Sequence, residues 1–449
     1  MEGTVYQTPA AVLRRGQEAI GIPFREMDKT GRLRSGKGAV GTVVEESWFG
    51  YTPNSDAEPD FPEAGVELKV TPYVRNRRGL RAKERLVGCL INYETEWDKT
   101  FETSDFCRKC GTMLILSYEH RPDADKGDLF IDHATLFRFP EEDLAIIRQD
   151  WETIRDKIRA GQAHLLTEGD TLYLAACTKG ATAATMRRQP FSPIPAKQRA
   201  YSLKPAYMTR ILNEYVFGAR RDERIIQDWR LLERQSFEAV LLERLRPYLG
   251  WTEARLWAQF GGRSAAKSRL ALLLGRMLGV RGPLARTAEF QSAGICPKTV
   301  RIQRSSRIRE SMSFPAFRFS QLLEETWETS ALRQQLEPTK FLFVVFREQA
   351  DGQYCLERVK LWNMPAEDLE EVRRVWERTR ALACGGVRLC PDGRVVRNNL
   401  PKASESPVAH VRPHGRDASD VDVLPDGTVL PKQCFWLNNR YIERILQAE

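Results

Sequence analysis

The sequence predicts a duplicated α/β protein, and three observations carry that expectation. At 449 residues the chain exceeds one ordinary core, so two domains are the starting assumption. Its 42% apolar and 29% charged residues are those of a globular chain, not a disordered one. Motifs of the first half return in the second in the same order, interleaving helical spacing with short β-like runs.

The first element that carries chemistry is Pro59-Asp60, followed by Gly65-Val66-Glu67-Leu68-Lys69. Alternation along a strand places Glu67 and Lys69 on one face and Val66, Leu68 and Val70 on the other, with Asp60 on the approach. Two carboxylates can hold Mg²⁺ against a phosphate, and a lysine beside them can position or activate water and offset negative charge. Charged strand edges also produce the bare pattern Asp-x(n)-Glu-x-Lys, so its surroundings decide its meaning. Phe101-Glu102-Thr103-Ser104 comes next, ahead of a β-like run from Met113 to Tyr118. Phe139-Pro140-Glu141-Glu142-Asp143-Leu144 then opens a helix in which Leu144, Ile147, Trp151, Ile154 and Ile158 keep helical spacing, and Gly161 ends it. Leu203, Tyr207, Ile211 and Leu212 close the half.

The second half repeats this order. Trp327-Glu328-Thr329-Ser330 precedes a β-like run from Phe341 to Phe346, and Met364-Pro365-Ala366-Glu367-Asp368-Leu369 opens a second helix through Val372, Trp376, Thr379 and Ala383 to Gly385-Gly386. Leu437, Tyr441, Ile445 and Leu446 end it. The copies are expected at 1–215 and 236–449, joined by a charged linker over 216–235 whose Gly218–Glu233 stretch is expected to be helical. They are chemically unequal. Asp60-Phe61 through Lys69 aligns with Glu289-Phe290 through Lys298, which puts Cys296 where the first copy has Glu67, Pro297 where it has Leu68, and Leu274 where it has Glu45. A hard cation needs oxygen ligands, so a thiol in place of a carboxylate breaks an Mg²⁺ site. The first copy is expected to cut and the second only to bind.

Lys+Arg 69 against Asp+Glu 60 gives +9, a balance that suits a polyanion partner. Nine cysteines are an odd number, and Cys107 and Cys110 form a lone CxxC without a partner pair, so reduced thiols are expected rather than a zinc site. No apolar run reaches membrane-spanning length, since Leu270 to Val280 is short and carries Arg276. The N-terminus shows no secretory pattern, and a cytoplasmic protein is expected. Pro413 argues against a helical metal pair from His410 and His414, leaving them as loop surface. Gly261-Gly262-Arg263-Ser264 is no full phosphate loop. The tract Arg394 to Lys432 reads as a long loop, with turns at Pro391-Asp392-Gly393 and Pro425-Asp426-Gly427.

Taken together, Lys37-Gly38-x-x-Gly41, Val44-Glu45, Trp48-Phe49-Gly50, Pro59-Asp60-Phe61, Gly65-Val66-Glu67-Leu68-Lys69 and Pro72 closely resemble the MutH mismatch-repair endonuclease. So do Glu102-Thr103-Ser104, Asp150-Trp151-Glu152, Gly161-Gln162 and Leu203-Lys204. The duplicated chain resembles the Sau-type, GATC-cutting type II restriction endonucleases, which pair a MutH-like catalytic half with a degenerate one. The resemblance implies two restriction-endonuclease-like PD-(D/E)xK α/β domains, the second catalytically degenerate. It implies that Asp60, Glu67 and the Leu68 carbonyl bind Mg²⁺, that Lys69 orients or deprotonates the water, and that Glu45 completes the acidic site, with the neighbouring Glu46 as its rival. It assigns Lys109 to the scissile phosphate, a lysine whose counterpart Gln335 carries no charge. Lys179, Arg199, Tyr201 and Lys204 match its DNA-contacting stretch.

The function this implies is Mg²⁺-dependent hydrolysis of phosphodiester bonds in double-stranded DNA at GATC, by a type II restriction endonuclease. With one active site per chain, cutting both strands needs two chains on the DNA or two sequential nicks. A cognate DNA methyltransferase is expected in the same system, with no stable complex and no membrane partner. A mismatch-repair nicking enzyme and a non-cleaving DNA-binding regulator remain as alternatives.

Overall fold

The computed structural model describes residues 6–34, 36, 38–51, 58–76, 79–180, 185–261, 269–392, 395–417 and 419–447. Lys37, Gly262 to Ser264, Gly393 and Arg394 lie outside them. The chain divides into two compact units, Met1–Val240 with Leu278–Ile295, and Leu241–Met277 with Cys296–Glu449. No helix of the described residues is long and apolar enough to cross a membrane.

The first unit is built on a mixed sheet. Strands β1 (Glu67–Asn76) and β2 (Gly79–Ala82) form a hairpin, and the order across the sheet is β2-β1-β4-β5, with β4 at Thr112–Glu119 and β5 at His133–Arg138. Strands β1 and β4 run parallel, Glu67 beside Met113 and Lys69 beside Ile115. A parallel pair needs a crossover, and the helix Asp105–Cys110 lies on it. Ser104 starts that helix, its hydroxyl accepting from Cys107 N at 3.1 Å. A second, antiparallel sheet has the order β3-β9-β6, from β3 (Leu86–Leu90), β6 (Leu174–Thr178) and β9 (Arg199–Leu203). Between β6 and β9 stands the hairpin of β7 (Met186–Gln189) and β8 (Ser192–Lys197).

The helix expected after Pro140 spans Glu141–Arg159 and buries Ile147, Trp151, Ile154 and Ile158. Its first turn carries Glu141, Glu142 and Asp143 and its last turn Lys157 and Arg159, which complements the helix dipole. Gly161 beyond it takes φ +69°, and a Cβ there would stand 2.5 Å from Phe191 O. Only glycine fits. Asp143 and Asp150 on this helix are buried, which spacing alone did not reveal. Asp150 accepts from the backbone N–H groups of Leu172, Tyr173 and Leu174 at 2.6, 2.6 and 2.9 Å, fixing the entry to β6.

In the second unit β10 (Ile295–Ile302), β12 (Lys340–Glu348) and β13 (Tyr354–Asn363) form one sheet in the order β10-β12-β13. A second sheet sets β11 (Met312–Ser313) and the strand Ala409–Pro413 on either side of Gln433–Leu437. The repeated motifs occupy repeated structural roles. Ser330 caps Ala331–Leu336 through Arg333 N at 3.3 Å, as Ser104 caps its helix. The helix Ala366–Gly385 buries Leu369, Val372, Trp376, Thr379 and Ala383. Tyr207 OH donates to Asp143 at 3.0 Å, and Tyr441 OH to Asp368 at 2.8 Å.

Two expectations about connections do not hold. Gly218–Glu233 is not an α-helix: residues 218–228 are irregular and Trp229–Glu233 is a 3₁₀ turn. The N–H groups of Ile225 and Ile226 instead donate to Glu289 Oε2 and Oε1, each at 3.0 Å, and both isoleucines are buried. The tract from Arg394 is not one loop either, since it holds the strands Val395–Asn398, Ala409–Pro413, Val421–Val423 and Val429–Pro431. Its turn at Pro425-Asp426-Gly427 is present, with Gly427 at φ +83° closing a hairpin. His410 lies within a strand, buried and bonded to Asn438, rather than on loop surface.

Candidate active site

Asp60 and Glu67 are neighbours because the chain folds back between them. Phe61 and Val66 exchange backbone hydrogen bonds at 2.9 and 3.2 Å around a 3₁₀ turn over Pro62–Ala64, and Gly65 takes φ +61° to complete the reversal. The reversal sets Asp60 beside the first residue of β1. Asp60 N donates to Glu67 Oε2 at 3.1 Å, and Leu68 N to Asp60 Oδ2 at 3.0 Å. Leu68 and Val66 point into the core on the opposite face. Lys69 Nζ donates to Glu67 Oε1 at 2.6 Å, and Lys109 Nζ, from the last turn of its helix, lies 3.8 Å from Glu67 Oε2 and donates to Glu58 O at 3.2 Å.

Glu45, Asp60, Glu67, Lys69, Lys109 and Lys179 all line one cavity of about 450 Å³, with β3, Gln198 and Ala200 forming other walls. Glu45 and Glu46, consecutive on the π-helical turn Val44–Phe49, point in different directions. Glu45 faces the cavity, while Glu46 receives both Nε and Nη2 of Arg32 at 3.0 Å.

Burial pushes the Glu67 carboxyl up to about 7, with Asp60 adding to the rise and Lys69 and Lys109 opposing it. Burial, then Asp60, raises Glu45 as well. For Lys69 burial works against the charge, yet Glu67 holds its ammonium above the ordinary range. Among the described residues no three acidic, histidine or cysteine groups already converge as a closed metal cage. The acids line the cavity wall, with Glu67 held by lysine. Three carboxylates around a desolvated space, two of them reluctant to ionise, fit a divalent cation that supplies the missing positive charge.

The four expected DNA contacts separate. Lys179 is exposed at the cavity, its N–H donating to Gln198 O at 2.8 Å. The other three side chains are interior. Arg199 is 5% exposed and donates to the carbonyls of Ala176 and Leu166. Tyr201 OH donates to Glu96 Oε1 at 2.9 Å, the same oxygen that accepts from Trp151 Nε1 at 2.7 Å. Lys204 Nζ donates to Thr171 O at 2.6 Å. β9 is buried along its whole length, so its cation and phenol brace the sheet behind the cavity instead of facing solvent. Sequence reading passed over Gln198 and Cys89, which do line the cavity. Gln198 stands between β8 and β9, half-buried, where the pattern gives no signal.

A family model described as DNA mismatch repair enzyme MutH matches residues 49–150, the span that carries Asp60, Glu67, Lys69 and Lys109. The type II restriction enzyme Sau3AI of Staphylococcus aureus is 36% identical, over 98% of this chain and 98% of its own. The chain belongs to the Sau3AI family of type II restriction enzymes. DNA mismatch repair proteins MutH from Shewanella woodyi and Shewanella oneidensis are 33% and 29% identical, over 41% and 47% of this chain and 80% and 97% of theirs. A full-length match to Sau3AI and half-length matches to MutH together make this a site-specific deoxyribonuclease with a MutH-like, restriction-endonuclease-like domain.

In this Sau3AI-family chain the second unit has a cavity of about 570 Å³ of different character. Lys298, Arg301 and Arg309 line it with Thr299, Ser311 and Tyr354, and among the described residues Glu310 is its one carboxylate. Lys298 stands on β10 as Lys69 stands on β1. Cys296, Leu274 and Gln335 are absent from this lining. Leu274 is buried, and Gln335 lines a separate small cavity beside Phe314 and Trp376. Glu289, aligned with Asp60, has both oxygens engaged by Ile225 and Ile226.

Proposed function

We propose that the protein is an Mg²⁺-dependent type II restriction endonuclease that cuts double-stranded DNA at GATC, with its single active site in the first unit. The observation that carries this reading is the meeting of Glu45, Asp60, Glu67, Lys69 and Lys109 in one cavity, with exposed Lys179 on its wall. GATC follows from the resemblance to the Sau-type enzymes.

Asp60, Glu67 and the Leu68 carbonyl would hold the metal, with Glu45 closing the acidic side. The bound cation supplies Lewis acidity toward the scissile phosphate and charge neutralisation for the pentavalent transition state. Lys69, charged and paired with Glu67, acts as donor to the attacking water and orients it in line with the phosphorus. Lys109 offsets charge on a non-bridging phosphate oxygen. The water oxygen forms the new P–O bond and releases its proton to solvent as the P–O3′ bond breaks and the leaving 3′ oxygen takes a proton from solvent, leaving a 5′-phosphate and a 3′-hydroxyl. Lys179 contacts the DNA, whereas Arg199, Tyr201 and Lys204 keep β9 in place behind it.

The second unit is proposed to bind without cutting. Cys296 for Glu67 and Leu274 for Glu45 leave it short of oxygen ligands, Glu289, aligned with Asp60, belongs to the first unit, and Lys298, Arg301 and Arg309 supply positive charge. The mismatch-repair reading draws on the MutH match over residues 49–150, but a single MutH-like domain suffices for nicking, and the duplication and full-length likeness to Sau3AI favour restriction.

Purified protein incubated with unmethylated plasmid should give discrete fragments ending at GATC with Mg²⁺ and none with EDTA or in Glu67→Ala. Lys298→Ala should retain the cleavage chemistry. Loss of chemistry in Lys298→Ala with DNA binding intact would overturn the division of labour. Partner-dependent nicking in place of fragments would favour the repair reading.

A further inference from the structure

Tyr51 sits where nothing in the packing calls for its oxygen. The ring meets Phe61 edge-on at 5.5 Å between centroids and packs against the core that also contains Val44, Phe49 and Phe61. Phenylalanine would fill that space equally well. The hydroxyl is cut off from solvent and lies beside the Asp60 carboxyl without completing a well-formed hydrogen bond to it. Burial, then the charges of Asp60, Glu45 and Glu67, hold this phenol far above its ordinary range, so it stays a donor at every working pH. A neutral donor is thus buried beside three carboxylates with its hydrogen bond incompletely made, which is costly for any buried hydroxyl, and Asp60 is the acceptor beside it.

Asp60 supplies the missing half. Its Oδ2 is fixed by the N–H of Leu68 at 3.0 Å, and the Tyr51 hydroxyl stands beside the same carboxyl. Tyr51 follows the π-helical turn that carries Glu45, and its own N–H donates to Glu45 O at 3.2 Å. It is therefore tied by main chain to one acid and directed by side chain toward another. We propose that Tyr51 is a positioning residue of the metal site: its hydroxyl donates to Asp60 Oδ1 when that carboxylate serves the metal, locking the rotamer Asp60 presents. Side chains behind metal ligands typically set affinity through such orientation. The inference rests on the metal-site reading given above.

The test compares Tyr51→Phe with the parent, without DNA, by calorimetric titration with Mn²⁺, using Glu67→Ala to identify the heat that belongs to this site. In EDTA, Tyr51→Phe should melt close to the parent temperature, because it removes only a hydroxyl whose contact with Asp60 is not a well-formed hydrogen bond. Its Mn²⁺ dissociation constant should rise about tenfold. Cleavage should need correspondingly more metal, with the rate at saturating metal close to the parent's. Mn²⁺ affinity within twofold of the parent would overturn the inference, and so would cleavage lost at every metal concentration with affinity unchanged, which would move Tyr51 to the DNA. No site-specific heat in the parent itself would instead bring down the metal-site reading on which the inference stands.

Discussion

Asp143→Ala should destabilise the first unit by about 3 kcal/mol, a large effect for a residue remote from the proposed chemistry. Asp143 is fully buried and is the hub of a charge cluster. Its Oδ1 receives Arg224 Nη2 at 2.8 Å and Arg210 Nη1 at 3.2 Å, and its Oδ2 receives Tyr207 OH at 3.0 Å and Arg210 Nη2 at 3.2 Å. Burial alone opposes the charge of Arg210, and Asp143 more than restores it. Removing one member of a buried ion pair costs about 3–5 kcal/mol, because the partner is left desolvated and uncompensated. Here the lower end applies, since each guanidinium keeps a second carboxylate. Arg210 Nε stands 3.1 Å from Glu214 in a pair too bent for a hydrogen bond, and Arg224 keeps Glu142 at 3.4 Å. Asp143→Asn, which still accepts from Tyr207, should cost less. Arg224→Met should cost least, because that side chain is already 18% exposed. Two units need not unfold together, so the measurement is local: amide exchange of the helix Pro205–Ile211 against urea, read by mass spectrometry. A cost below about 1 kcal/mol for Asp143→Ala would refute the premise that this cluster is desolvated.

Lys179→Ala, in a Glu67→Ala background that cannot cut, should weaken DNA binding and lower the salt slope by about one, whereas Arg199→Met should lower stability without changing that slope. Fluorescence anisotropy over a salt series separates the two outcomes. Glu67 carries a pH prediction for the metal-free protein. Its folded value of about 7 exceeds the ordinary 4.5, so the stability it contributes is complete below 4.5 and is lost as pH rises through about 7. The parent should therefore lose about 3 kcal/mol relative to Glu67→Gln between pH 4.5 and 8 in EDTA, and parallel melting curves would contradict this.

What the sequence made legible was local. Strand alternation carried Glu67 and Lys69 to one face, and a short reversal at Gly65 brought Asp60 beside them. Ser104 and Ser330, legible only as repeated motifs ahead of β-like runs, turn out to cap the helices Asp105–Cys110 and Ala331–Leu336. What stayed illegible was burial of charge. Arg199 and Lys204 look like surface cations in a line of sequence, and nothing local says that Leu166, Ala176 and Thr171 will turn carbonyls toward them. Asp143 in the acidic helix start and Asp150 in mid-helix likewise look like solvated positions. The linker misled for a related reason. Its charges suggest a helix, but Glu289, distant in sequence, takes the N–H groups of Ile225 and Ile226. In the tract after Arg394 the turn residues were readable, while strands as short as Val421–Val423 leave too few residues for alternation to register.

The repeat itself divides scaffold from chemistry. Asp143 with Tyr207 and Arg210 has a counterpart in Asp368 with Tyr441 and Arg444, bonded at 2.8 and 3.4 Å. The serine caps and long helices are repeated too. The acids are not: Glu67 becomes Cys296, Glu45 becomes Leu274, and Glu289 is held by backbone. A carboxylate that secures a helix must be kept for the fold to stand, whereas one raised by burial toward neutrality burdens the fold unless a cation joins it. On the proposed division of labour, replacing Glu67 and Glu45 in the second copy removes a strain as well as the cutting chemistry. The same physics explains why the first copy, which keeps both, has to hold Glu67 between Lys69 and Lys109 until a metal arrives.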